Sequence, residues 1–137
     1  MNKHKIFILL CTLIIVYLGC NKPSHHVEIN PNDLTGSSSL FQVGAKQPES
    51  INIKTHIITF SSDGTWKSIT EMTGQWAGTK MKASGKWTLD KNIISYTAGD
   101  NSGKSTVTLA AQRLTLNPDF IIALDGGKIP VDTQYSK

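Results

Sequence analysis

Between Lys80 and Leu89 the chain places Met81, Ala83, Gly85, Trp87 and Leu89 on one side and Lys80, Lys82, Ser84, Lys86 and Thr88 on the other. A period of two belongs to a strand with one face on a core and the other in water. A helix with this sequence would scatter the same apolar residues around its circumference. Elsewhere after Ser39 no window of a dozen residues keeps apolar positions at helical spacing, while the two-residue alternation recurs. The chain from residue 40 onward is therefore expected to be all-β.

Turn chemistry divides it into strands. Weak strands are expected near Leu40 to Val43 and near Ile51 to Thr55. Ile58 and Phe60 alternate ahead of Ser61 to Thr65, where Asp63-Gly64 between strand-like residues is a strong hairpin signal. Trp66 opens the return strand, which runs towards Met72. After Leu89, Asp90-Lys91-Asn92 turns into a strand carrying Ile94, Tyr96 and Ala98, and Gly99 to Gly103 reads as a loop. Val107, Leu109 and Ala111 follow, then Leu114 and Leu116, a turn at Asn117-Pro118-Asp119, and a strand with Phe120, Ile122 and Leu124 before a second Asp-Gly at Asp125-Gly126. This makes about eight strands at intervals of roughly 8–12 residues, the spacing of a sandwich or barrel. Adjacent pairings throughout favour an antiparallel meander closed into a barrel, which leaves no open edge.

The N-terminus is of another kind. Lys3, His4 and Lys5 precede an apolar run from Ile6 to Leu18, 13 residues long and short of the roughly 20 that span a bilayer. Met1 to Gly19 therefore reads as a signal peptide rather than a transmembrane helix. Removing it leaves 118 of the 137 residues, enough for one domain with a core. Basic residues fall from 14 to 12 against 10 acidic ones, so the mature charge is about +2. A charge that small, on singly scattered lysines, argues against a nucleic-acid surface. Of two cysteines, Cys11 leaves with the signal and Cys20 stays, which excludes an internal disulfide. From Cys20 to Ser39, prolines, glycine and the run Ser37-Ser38-Ser39 read as a flexible tether. His25-His26 within it lack the further ligands of a metal site, and none is expected.

Two resemblances bear on these segments. Val16-Tyr17-Leu18-Gly19-Cys20 resembles the lipobox of bacterial lipoproteins, with Gly19 before the cut and Cys20 at the modified position; Tyr17 and Leu18 depart from the usual residues. The resemblance implies a diacylglyceryl thioether on Cys20, a further acyl chain such as palmitate on its amine, and anchorage in a membrane of the cell envelope. Two or three acyl chains hold firmly where one does not. Asn21 stands where an Asp signals inner-membrane retention in some bacteria, which favours the outer membrane.

The second resemblance runs from Phe60 to Leu116. Phe60 with Asp63-Gly64-Thr65-Trp66, then Gly85-Lys86-Trp87-Thr88-Leu89, then Asn92 to Tyr96 and Val107 to Leu116 resemble the bacterial lipocalin-like lipoproteins. The family implies a lipocalin-like barrel for residues 40–137. It usually opens with a Gly-x-Trp strand that plugs the barrel floor. Here Asp33-Leu34-Thr35-Gly36 occupies that place, but Ser38 stands where the tryptophan belongs. A closed barrel and an open half-barrel are both compatible with that change.

No motif carries catalysis. His56 starts an ordinary strand with no nucleophile elbow nearby, and most carboxylates sit in turns, where Asp shapes backbone. Neither an enzyme nor a cofactor is expected. The aromatic residues are the better lead. Trp66 and Trp87 fit core filling, whereas Trp76 lies in the turn-rich Gly74 to Thr79. If the barrel is hollow, Trp66, Met72, Trp76, Met81 and Tyr96 would line a site for a small apolar ligand. If it is filled, the function shifts to protein contacts through the loops near Trp76 and Asp100 to Gly103, with a partner the sequence does not name.

Overall fold

The computed structural model describes residues 28–124 and 129–137. The signal segment, the lipobox with Cys20, and His25-His26 lie outside the described residues. Eight strands, β1 (Gly36–Val43), β2 (Ile53–Phe60), β3 (Thr65–Met72), β4 (Lys80–Asp90), β5 (Ile93–Ala98), β6 (Asn101–Ala110), β7 (Arg113–Leu124) and β8 (Ile129–Ser136), follow in chain order. Each pairs antiparallel with the next, and β1 pairs with β8, so the meander closes into a barrel. The closed lipocalin-like architecture is the one expected, and the half-barrel alternative falls away.

The hairpins explain the connectivity. In the β2–β3 turn, Asp63 Oδ1 accepts the Thr65 N–H at 2.9 Å and the Thr65 hydroxyl at 2.6 Å, and Gly64 takes φ 78°. The β4–β5, β5–β6 and β6–β7 connections are each two residues long, with Lys91, Gly99 and Ala111 at positive φ. Left-handed residues match the right-handed twist of the strands they join.

Several elements differ from the sequence expectations. The two segments expected near Ile51 to Thr55 and Ile58 to Phe60 form one strand, β2, with a register shift between Ile53 and Thr55. Asn101 to Gly103 belong to β6 rather than to a loop, leaving Gly99-Asp100 as the turn. Asn117-Pro118-Asp119 does not reverse the chain. Proline lacks the N–H a ladder needs, and β7 carries it across a register shift between Leu116 and Asp119. β8 had no expected counterpart.

Structured chain also begins before residue 40. Pro31–Leu34 forms a single helical turn, α1, capped by Asn30, whose side chain accepts the Asn32 N–H at 2.9 Å while Asp33 accepts the Asn30 N–H at 3.1 Å. Leu34 is fully buried, worth about 2 kcal/mol for a side chain of that size. The expected tether, 20–39, therefore ends sooner, because α1 closes one end of the barrel. The Lys137 ammonium donates to the Asp33 carbonyl and ties the C-terminus to that plug.

The main core fills the plugged end: Leu34, Phe60, Trp66, Trp87, Ile94, Tyr96, Val107, Leu114, Leu116 and Tyr135. Phe60 meets Trp87 edge-on at 5.2 Å, and Trp66 meets Tyr96 at 6.3 Å, geometries that suit aromatic quadrupoles. A smaller cluster of Val43 and Ile53, with Leu40, Ile51 and Met72, lies toward the opposite end.

Candidate binding site

The inner face of the β1–β4 wall can be read row by row from the register. Nearest the plug, Phe60 lies opposite Trp66 and Trp66 opposite Gly85. The next row holds Ser38, Ile58, Ser68 and Ala83. Beyond it His56 pairs with Thr70 and Thr70 with Met81, and at the far end Ile53 pairs with Met72. The rows thus pass from aromatic through polar to apolar along one wall.

The five residues expected to line a cavity separate on this map. Trp66 and Tyr96 belong to the packed core, and the Trp66 indole N–H donates to the Thr97 carbonyl at 2.9 Å. Met72, Trp76 and Met81 lie at the other end, Trp76 in a 3-10 turn (Gly74–Trp76) between β3 and β4. Trp76 is 56 % exposed and Met81 49 % exposed. Met81 is unusual, since its partner Thr70 is buried and its alternation with Gly85 and Trp87 turns it to the interior. Ala83, opposite buried Ser68, is exposed as well. The paired residues of β4 and β5 run only from Trp87↔Tyr96 to Asp90↔Ile93, so the first half of β4 has no β5 residue beside it.

Between the two ends lies a polar band the sequence reading missed. Ser38, His56, Ser68, Thr70, Ser105, Asp119 and Thr133 are all buried. Asp119 accepts the Thr133 hydroxyl at 2.5 Å and the Tyr135 hydroxyl on the same oxygen. Burial, and then the Asp119 charge, push the Tyr135 phenol well above its usual pKa. His56 Nδ1 meets the Thr70 hydroxyl at 2.6 Å, its ring lies 5.9 Å from that of Tyr135, and burial lowers its pKa to about 4. The imidazole is therefore neutral at physiological pH. A signal for the band was available: two-residue steps back from Phe60 reach His56, and steps on from Trp66 reach Ser68 and Thr70. Their polarity hid the shared face.

Two open concavities mark the outer wall. One of about 370 Å³ has Lys86, Trp87, Ser95, Tyr96, Ser102 and Lys104 among its lining, so it includes Tyr96, one of the five expected site residues. The other, of about 540 Å³, is lined by Thr65, Trp66, Lys67, Ser84 and Lys86 among others, so it includes Trp66, another of the five. Neither touches Met72, Trp76 or Met81. Among the described residues no three His, Cys, Asp or Glu side chains converge as metal ligands.

The chain belongs, by its fold, to the closed eight-stranded antiparallel meander barrels. Comparison with known protein families, with curated proteins and with solved structures found no match.

Proposed function

We propose that this chain is a lipid-anchored binding module of the bacterial cell envelope that takes a small apolar molecule at the barrel end bearing Met72, Trp76 and Met81. The observation that carries the reading is Met81, directed to the barrel interior and yet 49 % exposed. Large apolar side chains on an inner wall are ordinarily covered, and flexible Met beside an exposed Trp makes an adaptable apolar contact surface. Eight strands enclose an interior that side chains can fill or that can hold one small ligand. Here the plugged end is filled, and the Met81 end offers the apolar lining.

Anchorage through lipid on Cys20 rests on the lipobox-like Val16 to Cys20, export on the basic and apolar segments of residues 1–19, and residence in the outer membrane on Asn21. The role is binding rather than catalysis. His56 Nδ1 is held by a threonine hydroxyl, whereas a catalytic triad would set a carboxylate there.

Native mass spectrometry of the protein purified from its own membrane tests occupancy. A bound small molecule, lost on changing Trp76 and Met81 to Ala, is expected; only ligand-free protein would count against the reading. Growth on labelled palmitate, comparing wild type with Cys20→Ala, tests the anchor, and an unlabelled wild type would overturn it.

A second reading has its own observation, the outer concavities that share Lys86 between β3 and β6. In that reading the barrel is a protein-interaction module, and Lys86→Glu would abolish capture of its envelope partner while leaving any small-molecule adduct in place.

A further inference from the structure

Among the described residues, β4 has an edge that no strand covers. Lys80 to Lys86 pair with β3 along their whole length, but pairing with β5 starts only at Trp87↔Tyr96. The cause lies in β5, which turns back at Ala98↔Asn101, close to Gly85, where the Thr97 carbonyl fills the space a Cβ would need. Lys80 to Ser84 are all exposed in consequence.

Two hydrogen bonds fix which backbone groups face that edge. The Thr79 carbonyl accepts the Met72 N–H at 3.1 Å, so residue 79 faces β3. The Lys86 N–H donates to the Thr97 hydroxyl at 3.2 Å, so residue 86 faces the β5 side. Backbone groups alternate sides along a strand of an antiparallel sheet. The N–H and C=O of Lys80, Lys82 and Ser84 therefore point to the open side, and an exposed row of such groups is a template for another strand. The side chains alternate as well. Lys80, Lys82 and Ser84 stand on the outer face, and Met81 and Ala83 on the inner one, where Met81 is 49 % exposed. Glu71, opposite Lys80, is bonded to Lys54 at 2.9 Å, and among the described residues Lys82 forms no ion pair.

We propose that the β4 edge from Lys80 to Ser84 takes an extended acidic segment of a partner protein as an added antiparallel strand, with carboxylates opposite Lys80 and Lys82 and an apolar residue between them over Met81. In such strand addition main-chain hydrogen bonds supply affinity and the alternate side chains supply selectivity. A second copy of this chain is a poorer occupant. The symmetric register of two β4 edges sets Lys82 against Lys82, and like charges directly opposite destabilise a ladder. The chain's own Lys22 to Val27 carries no acidic residue. Strand addition needs no room in the barrel interior, so it stands or falls apart from the small-molecule reading.

Fluorescence anisotropy of a labelled, end-capped Thr-Val-Glu-Val-Glu-Val peptide, added to the full chain in zwitterionic nanodiscs with empty nanodiscs subtracted, tests the edge. It should bind at least about tenfold more tightly than the same peptide with Lys in place of Glu. Ser84→Pro removes an edge N–H that β3 does not use and keeps every charge, as proline at a free strand edge allows; it should weaken the acidic peptide about tenfold. Lys80→Glu combined with Lys82→Glu should reverse the preference, and this variant carries the test if Ser84→Pro does not fold. Binding of neither peptide, or equal binding of both, overturns the acidic strand. Acidic-peptide binding that a folded Ser84→Pro protein retains in full overturns strand addition in favour of surface charge alone. A dimer in sedimentation that Ser84→Pro dissociates gives the edge to a second copy and overturns the partner. Any small-molecule adduct in native mass spectra should survive Ser84→Pro, so the two readings fail separately.

Discussion

Gly85 is the position where the barrel tolerates least. A Cβ built there would lie 1.6 Å from the Thr97 carbonyl oxygen, 2.7 Å from its carbon and 2.9 Å from the Trp66 indole nitrogen. The demand is for space, because β4 passes directly over the β5 backbone just where the Trp66 N–H reaches Thr97. The obstacle is backbone that cannot easily retreat, since Thr97 is also paired with Ser102 in the β5–β6 ladder. Gly85→Ala must therefore push β4 off β5, at about 1–3 kcal/mol for overpacking. It also breaks the Trp66–Thr97 hydrogen bond and leaves a buried indole N–H unpaired, at about 1–3 kcal/mol more. A total near 4 kcal/mol is a large share of the roughly 5–15 kcal/mol that holds a domain together. It corresponds to a melting temperature lower by roughly 15–30 °C in a domain of this size. Thermal melts followed by near-ultraviolet circular dichroism measure it, with Gly44→Ala as the control. Gly44 has φ 53° and open space around it, so its cost is only the left-handed strain of about 1–2 kcal/mol. A Gly85→Ala protein melting within a few degrees of wild type, or above the Gly44 variant, would refute the close-approach argument.

The neutral, buried His56 makes stability depend on pH. Its folded pKa, about 4, lies below the ordinary 6.5, so the unfolded chain binds the extra proton. Its contribution is complete above pH 6.5 and declines as pH falls towards 4, a loss on the order of 3 kcal/mol. Urea melts of wild type and His56→Gln at pH 7 and pH 4.5 should diverge by most of that amount; parallel pH slopes would contradict it. Tyr135→Phe deletes one of the hydroxyls bonded to buried Asp119 and should cost about 1–3 kcal/mol in chemical denaturation, whereas an unchanged midpoint would mean water replaces it. Ala111, at φ 51°, carries left-handed strain, so Ala111→Gly should raise the midpoint by an amount worth up to about 1 kcal/mol, and a lowered midpoint would argue against the turn geometry.

Local signals carried much of the fold. Alternation in Lys80 to Leu89 and the Asp63-Gly64 turn depend only on neighbours in the chain, so the all-β class and the β2–β3 and β4–β5 hairpins were legible. The expected count of about eight was reached partly by compensation, since two pairs of expected segments merged, one into β2 and one into β7, while β8 was unassigned. Asn117-Pro118 carries the usual composition of a turn, yet β6 and β8 on either side hold that segment extended. Of the expected site residues, Trp76 and Met81 are exposed, at the end of the barrel away from Trp66 and Tyr96. Trp66 and Tyr96 share their strand pattern with Met72 and Met81, and only their depth along the barrel puts them in the packed end.

The sequence by itself determined which face meets the interior in the strands with clear apolar alternation, β4 and β5 above all, because side-chain alternation is a property of the extended backbone. It also determined, through residues such as Asp63 and Gly64, where several hairpins turn. Tertiary structure alone decided the rest: Leu34 reaching across to plug one end where a tryptophan was expected, β1 meeting β8, and seven polar side chains gathered into one interior band. Those outcomes depend on register between strands far apart in the chain. The physical reason is that closure brings His56, Ser38 and Tyr135 into one environment, and the cost of burying their polar atoms is set there.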